Sequence, residues 1–183
     1  MKKSLLLISP ILLLSHKLFA QNIFTAVQDN DIPAVKYLLT KGVDPASKDN
    51  NGASPLIFAV SHGNDRAVKL ILQSNQININ AQDGDGNTAL IAACAGKHDD
   101  QVAMLLNHYP ELNKINKQGY TALTTAVNAN DAEAVKMLLA YGADKKHQDA
   151  NHKLAIDYAR ELHEDEIVAL LGGGVPANVT AGR

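Results

Sequence analysis

Asp83-Gly84-Asp85-Gly86-Asn87 is a dense run of oxygen ligands, spaced as a calcium loop begins. A calcium hand takes Gly at its sixth place and Glu at its twelfth, where this chain has Thr88 and Cys94, so the run reads as a turn. Seven histidines suggest a metal. His147 and His152 are five apart, and His62, His98 and His163 fall between apolar segments, without a helical i, i+4 pair or a cysteine partner. They read as solvated turn residues. Asp99-Asp100 and Glu164-Asp165-Glu166 have the composition of a paired-acid site. They stand where a helix should begin, and carboxylates suit that end of its dipole. Cys94 is the only cysteine, so no intramolecular disulfide can form. It occupies the place of Val60 and Val127 in neighbouring segments and reads as a small buried hydrophobe. There is no nucleophile elbow, phosphate loop or dinucleotide fingerprint. The expectation is a protein without catalytic residues, metal or cofactor.

The elements behind these residues repeat. Ala26, Ala59, Ala93, Ala126 and Ala159 are separated by 33, 34, 33 and 33 residues. Val35, Val68, Val102, Val135 and Ile167 keep a similar beat, as do Leu38-Leu39, Ile71-Leu72, Leu105-Leu106, Leu138-Leu139 and Leu170-Leu171. A period of this size marks a repeat solenoid. Asp49-Asn50-Asn51-Gly52-Ala53-Ser54-Pro55-Leu56 opens one unit, Asp83 to Leu90 the next, and Asn116-Lys117-Gln118-Gly119-Tyr120-Thr121-Ala122-Leu123 the one after. Each glycine suits a turn with positive φ. Ser54, Thr88 and Thr121 suit helix N-caps, and Pro55 the first helical position. Short helices should run to about Ser61, Ala95 and Asn128, break, and resume.

These motifs resemble the ankyrin repeat and its D-x-x-G-x-T-P-L-H-x-A-A pattern. Gly42-Val43-Asp44 and Gly142-Ala143-Asp144 are similar to its G-A-D turn. The resemblance implies an all-α repeat solenoid of about five helix-turn-helix units over 21–171, divided at 21–48, 49–82, 83–115, 116–148 and 149–171. The tetrad histidine is replaced by Ile57, Ile91, Thr124 and Asp157, so its hydrogen bond should be missing or altered. The second unit has one extra residue within Gln73–Gln82. The first and fifth units read as caps, the fifth with His152 for the glycine and Leu154 for the threonine. Residues 172–183, opening on Gly172-Gly173-Gly174, read as a flexible tail. Within them Asn178-Val179-Thr180 fits a glycosylation acceptor only in a eukaryotic secretory route.

Of 183 residues, 46% are hydrophobic, 20% charged and only 4% aromatic, with no Trp. Residues 1–20 read as a signal peptide: Lys2 and Lys3, an apolar run from Leu5 to Leu14, then Leu18-Phe19-Ala20 before a cut at Gln21. The run is too short for a membrane span, and no membrane association is expected after cleavage. Cleavage would remove three lysines and take the net charge from −2 to −5, which argues against nucleic-acid binding.

In the family, hairpin tips and the outer faces of first helices carry partner contacts. Carried over, these places are Asn50, Asn51, Ala53, Ser61 and His62, then Gly84, Asp85, Asn87 and Ala95. Further along they are Lys117, Gln118, Tyr120 and Asn128, then Ala150, Asn151, Lys153 and Arg160. Tyr120 is prominent because Ala53, Asn87 and Lys153 replace it elsewhere, and tyrosine is a favoured hot-spot residue. Tyr37 is a second candidate anchor. The chain is similar to exported bacterial ankyrin proteins of the self-protection type. That implies a periplasmic immunity protein that blocks a peptidoglycan endopeptidase, another hydrolase or a toxin; a capped five-unit stack needs no second copy for stability, so a monomer is expected. The alternative implied role is an accessory or scaffold protein, for example one supporting catalase in oxidative defence.

Overall fold

The computed structural model describes residues 22–44, 47–74 and 77–172. The expected signal peptide, most of the expected tail and part of the second unit's extra-residue loop lie outside the described residues. Among the described residues, ten helices form two layers. The first helices of the units are α1 (Ile23–Gln28), α3 (Pro55–Ser61), α5 (Ala89–Gly96), α7 (Ala122–Asn128) and α9 (Ala155–Glu161). The second helices are α2 (Ile32–Thr40), α4 (Asp65–Leu72), α6 (Asp99–Leu106), α8 (Ala132–Ala140) and α10 (Asp165–Leu170). Each layer stacks in chain order, and each first helix packs on the second helix of its unit. No strand occurs among the described residues, apart from an isolated bridge between Gln148 and Leu154.

Helices of six to nine residues are too short to persist alone, so stacking must supply their stability. The alanine beat explains the close stacking: Ala26, Ala59, Ala93, Ala126 and Ala159 are all fully buried along the first layer. Val35, Val68, Val102, Val135 and Leu105, Leu138 fill the space between layers, each large side chain contributing about 1.5–3 kcal/mol by burial. The fifth unit needs a correction. Counting from the N-caps Asp131 and Glu164, Val168 and Leu171 occupy the expected places, not Ile167 and the pair Leu170-Leu171. Ile167 instead takes the position of Ala34, Ala67 and Ala134 and is buried there. Apolar content alone had hidden this one-residue slip.

The caps follow the sequence. Ser54, Thr88 and Thr121 side chains accept from the backbone N–H of Ile57, Ile91 and Thr124 at 3.2–3.3 Å. At the altered tetrads, Ile57 and Ile91 are buried. Thr124 Oγ1 meets Thr121 Oγ1 at 3.2 Å, and Asp157 accepts from the Leu154 N–H at 2.9 Å. The hydrogen bond is therefore lost in two units and altered in two.

Every hairpin tip is built around an Asp or Asn. Asp49 Oδ1 accepts from Asn51 N and Ala53 N at 2.8 Å, and Asp83 Oδ1 from Asp85 N and Asn87 N at 2.9 and 2.8 Å. Asn116 and Asp149 repeat the arrangement. This consumes the carboxylate of the calcium-like run as a turn former. Gly119 shows why the next glycine is needed: its φ is +78°, and a Cβ there would lie 2.7 Å from Ala150 N. His152 takes this place in the fifth unit at φ 60°, where no further described unit packs against it.

Candidate protein-binding surface

Thirteen of the seventeen positions that the resemblance places on this surface are exposed: Asn50, Asn51, Ser61, His62, Gly84, Asp85, Ala95, Lys117, Gln118, Asn128, Ala150, Asn151 and Arg160. Asn87, Tyr120 and Lys153 are half-buried. Ala53, also placed in this row, is buried, because its side chain turns into the stack. The tips form a continuous rail. Gly84 N–H donates to Asn51 O at 2.8 Å and Lys117 N–H to Asp85 O at 2.9 Å, so adjacent tips are fixed by backbone and their side chains stay free. Asn116 Nδ2 also donates to Asn87 Oδ1 at 3.0 Å.

The first-helix face is uneven in a way that sequence reasoning missed. Phe58 stands at one end, edge-on to Phe24 with centroids 5.4 Å apart and stacked on His62 at 4.1 Å. Tyr120 and Tyr158 stand at the other, edge-to-face at 5.8 Å with their hydroxyls 3.3 Å apart. Between them α5 presents Ala92, Ala95 and Gly96. The result is a groove of about 400 Å³ floored by these small residues and walled by Ser61, Asn87, Asn116, Tyr120 and Thr125. Small residues at these register positions were the available signal. Asn50 and Asn51 line a separate depression of about 680 Å³ against Phe24, Gln28 and Phe58.

Tyr120 and Lys153 are tied into the fold. Tyr158 donates to the Asp149 carboxylate, and Lys153 Nζ pairs with Glu161 at 2.6 Å while lying over the Tyr158 ring at 5.0 Å. Burial pushes the Asp149 carboxyl up, but the Tyr158 hydroxyl and the N–H groups of Lys153 and Asn151 outweigh it and hold it below the usual range. Tyr158 is correspondingly raised, first by the Asp149 carboxylate. This network fixes the Tyr120 wall and costs the partner less ordering entropy on binding.

The histidines do not behave uniformly. His62 Nδ1 meets Phe58 O at 2.8 Å, and His147 Nε2 meets Gly119 O at 3.0 Å. His98, the N-cap of α6, packs its ring against Gly63 and Gly96. His98 and His147 are half-buried, whereas His62, His152 and His163 are exposed, His62 with its ring stacked on Phe58. Among the described residues no three His, Cys, Asp or Glu side chains gather to hold a metal. Cys94 is buried, and burial first, then the Asp131 and Asp99 carboxylates, push its thiol up.

Tyr109 lies outside the chosen rows yet is 87% exposed. It has φ 53° at the place of Gly42 and Gly142, which have φ 80° and 91°. Tyr141 on the following unit is 47% exposed, its hydroxyl held by Asn107 Oδ1 at 2.9 Å. Tyr37 is partly exposed below Lys41.

Comparison with known proteins agrees with this architecture. A family model for three copies of ankyrin repeats matches residues 23–116, and one for many copies matches 105–159. Human transient receptor potential cation channel subfamily A member 1 is 30% identical over 138 residues, which is 75% of this chain and 11% of that protein. Human neurogenic locus notch homolog protein 2 is 33% identical over 116 residues, 63% of this chain and 5% of the relative. Mouse neurogenic locus notch homolog protein 1 is 31% identical over 115 residues, 63% of this chain and 4% of the relative. The chain thus spans only a small fraction of these relatives' length. Stacked helix pairs, Asx-built tips and a groove on the first-helix face describe a protein-interaction surface, and the chain belongs to the ankyrin-repeat family.

Proposed function

We propose that this chain is an exported, non-enzymatic binding module that protects a bacterial cell by covering a cell-wall-acting enzyme in the periplasm. The observation that carries the binding role is the groove over α5, a small-residue floor with the Tyr158-braced ring of Tyr120 in its wall and a polar rail beside it. Such a surface offers a rigid aromatic anchor and free hydrogen-bonding side chains, the composition of an interface core and its rim. Export is supported by the lysines, apolar run and small residue of positions 1–20. The mechanism is steric: a rigid face occupies the cleft of a peptidoglycan hydrolase or toxin, and no chemistry is required of the module.

The test is capture from a periplasmic extract on the immobilised full chain, followed by inhibition assays with whatever hydrolase is recovered. Loss of hydrolysis near one-to-one stoichiometry supports the reading. Recovery of a catalase or a larger assembly, with hydrolases left fully active, replaces it with the accessory role.

A further inference from the structure

We propose that Asp99 and Asp131 share one proton across the joint between the third and fourth units, making the stack tighter in acid than in base. Asp131 is 7% exposed and caps α8, its Oδ1 accepting from Ala134 N at 3.1 Å. Its other oxygen, Oδ2, is buried and meets no donor, and the same is true of Oδ1 of Asp99, the first residue of α6. The two carboxyl groups stand within hydrogen-bonding reach of each other. Two carboxylates offer only acceptors, whereas one proton makes a donor and an acceptor and satisfies both orphan oxygens.

The second unit shows what this position does when the atom is a donor. Asn64, at the register of Asp131, caps α4 by accepting from Ala67 N at 3.1 Å. Its Nδ2 then donates across the preceding joint to Val27 O at 3.1 Å and Asn30 Oδ1 at 3.2 Å. At Asp131 the corresponding oxygen needs a proton to close its joint.

The surroundings favour that proton. From α5 the pair meets the Cys94 thiol; in the following turn, the His98 ring packs towards Gly63 and Gly96, and Lys97 Nζ donates to Asn130 O at 3.0 Å. On α4, Asp65 accepts from Gln101 Nε2 at 2.7 Å, and Arg66 and Lys69 are exposed. On α8, Glu133 is opposed by Lys136, which also pairs with Glu166 at 2.8 Å. Burial, then Asp131, Glu133 and Asp100, push the Asp99 carboxyl above its ordinary value. The sign follows from a raised native value. The contribution is complete below the unfolded value of about 3.9 and is lost as pH rises through the native one.

The test combines carboxyl-carbon NMR titration of the full chain with melting curves of wild type, Asp99→Asn and Asp131→Asn from pH 4.5 to 8. Asparagine supplies a fixed N–H and, as Asn64 shows, keeps the cap. The expected result is coupled titration of both carboxyl signals, with one step above the ordinary aspartate range. The melting temperature of each variant should also rise relative to wild type as pH increases, by at least about 2–4 °C, the shift of one kcal/mol at this size. Independent titration of both carboxyls at or below the ordinary value, or a variant-to-wild-type difference constant with pH, overturns the proposal. The NMR arm needs no substitution and stands even if a variant fails to fold.

Discussion

Replacing Asp149 with alanine tests how the C-terminal wall of the groove is held. The side chain is 5% exposed and accepts from Asn151 N at 2.8 Å, Lys153 N at 3.0 Å and the Tyr158 hydroxyl. A hydrogen bond to a charged group is worth about 1.5–3 kcal/mol. Asn151 is exposed, so its freed N–H regains water, while Lys153 and Tyr158 are half-buried and regain less. The net cost should be about 2–4 kcal/mol, a large part of a marginal total of about 5–15. Asp149→Asn separates the turn from the charge. Asn116 holds the equivalent turn in the fourth unit, accepting from Gln118 N and Tyr120 N at 3.0 Å, so the asparagine variant should lose only about 1 kcal/mol. Urea unfolding followed by circular dichroism at pH 7 measures both. Because the Asp149 carboxyl is held below its usual range, its contribution is present above the unfolded value of about 3.9 and fades as pH falls through the lower native one. The gap between wild type and Asp149→Ala should narrow in strong acid. Equal costs for the two variants, or an alanine variant within about 0.5 kcal/mol of wild type, would refute the reasoning.

Three further outcomes are expected. Tyr120→Ala should weaken partner binding by about 1–3 kcal/mol in a calorimetric titration while the stack stays folded, and unchanged affinity would remove Tyr120 from the interface. Tyr109→Asn should raise stability by about 1 kcal/mol in urea, since asparagine tolerates the left-handed conformation better and little burial is lost; a destabilised variant would show an internal role for the ring. Cys94 should resist a thiol reagent in the native protein at pH 8 and react fully in urea, because its thiol is buried and raised. Rapid native labelling would contradict that burial.

Much of the fold was legible because each unit solves the same local problem with nearby residues. Turn glycines, Ser and Thr caps and the alanine beat act within a few positions of themselves, and all three recur at fixed steps. The register of the fifth unit is ambiguous in sequence because adjacent Ile167 and Val168 are equally apolar, and only the Glu164 cap separates them. Gln101 gave no sequence signal at all. It replaces an alanine, is fully buried, and reaches Asp65 on the preceding unit.

The site divides in the same way. Exposure of the rail residues follows from their place in the repeat, so sequence determined it. The coupling of Tyr120 to Tyr158, 38 residues away, depends on how two units stack. So does the meeting of Asp99 and Asp131, and the groove between Ser61 and Tyr120. Periodicity fixes which side of a unit a residue occupies. Which side chains then touch across a joint, and which charges lose their water there, is decided only when neighbouring units pack together.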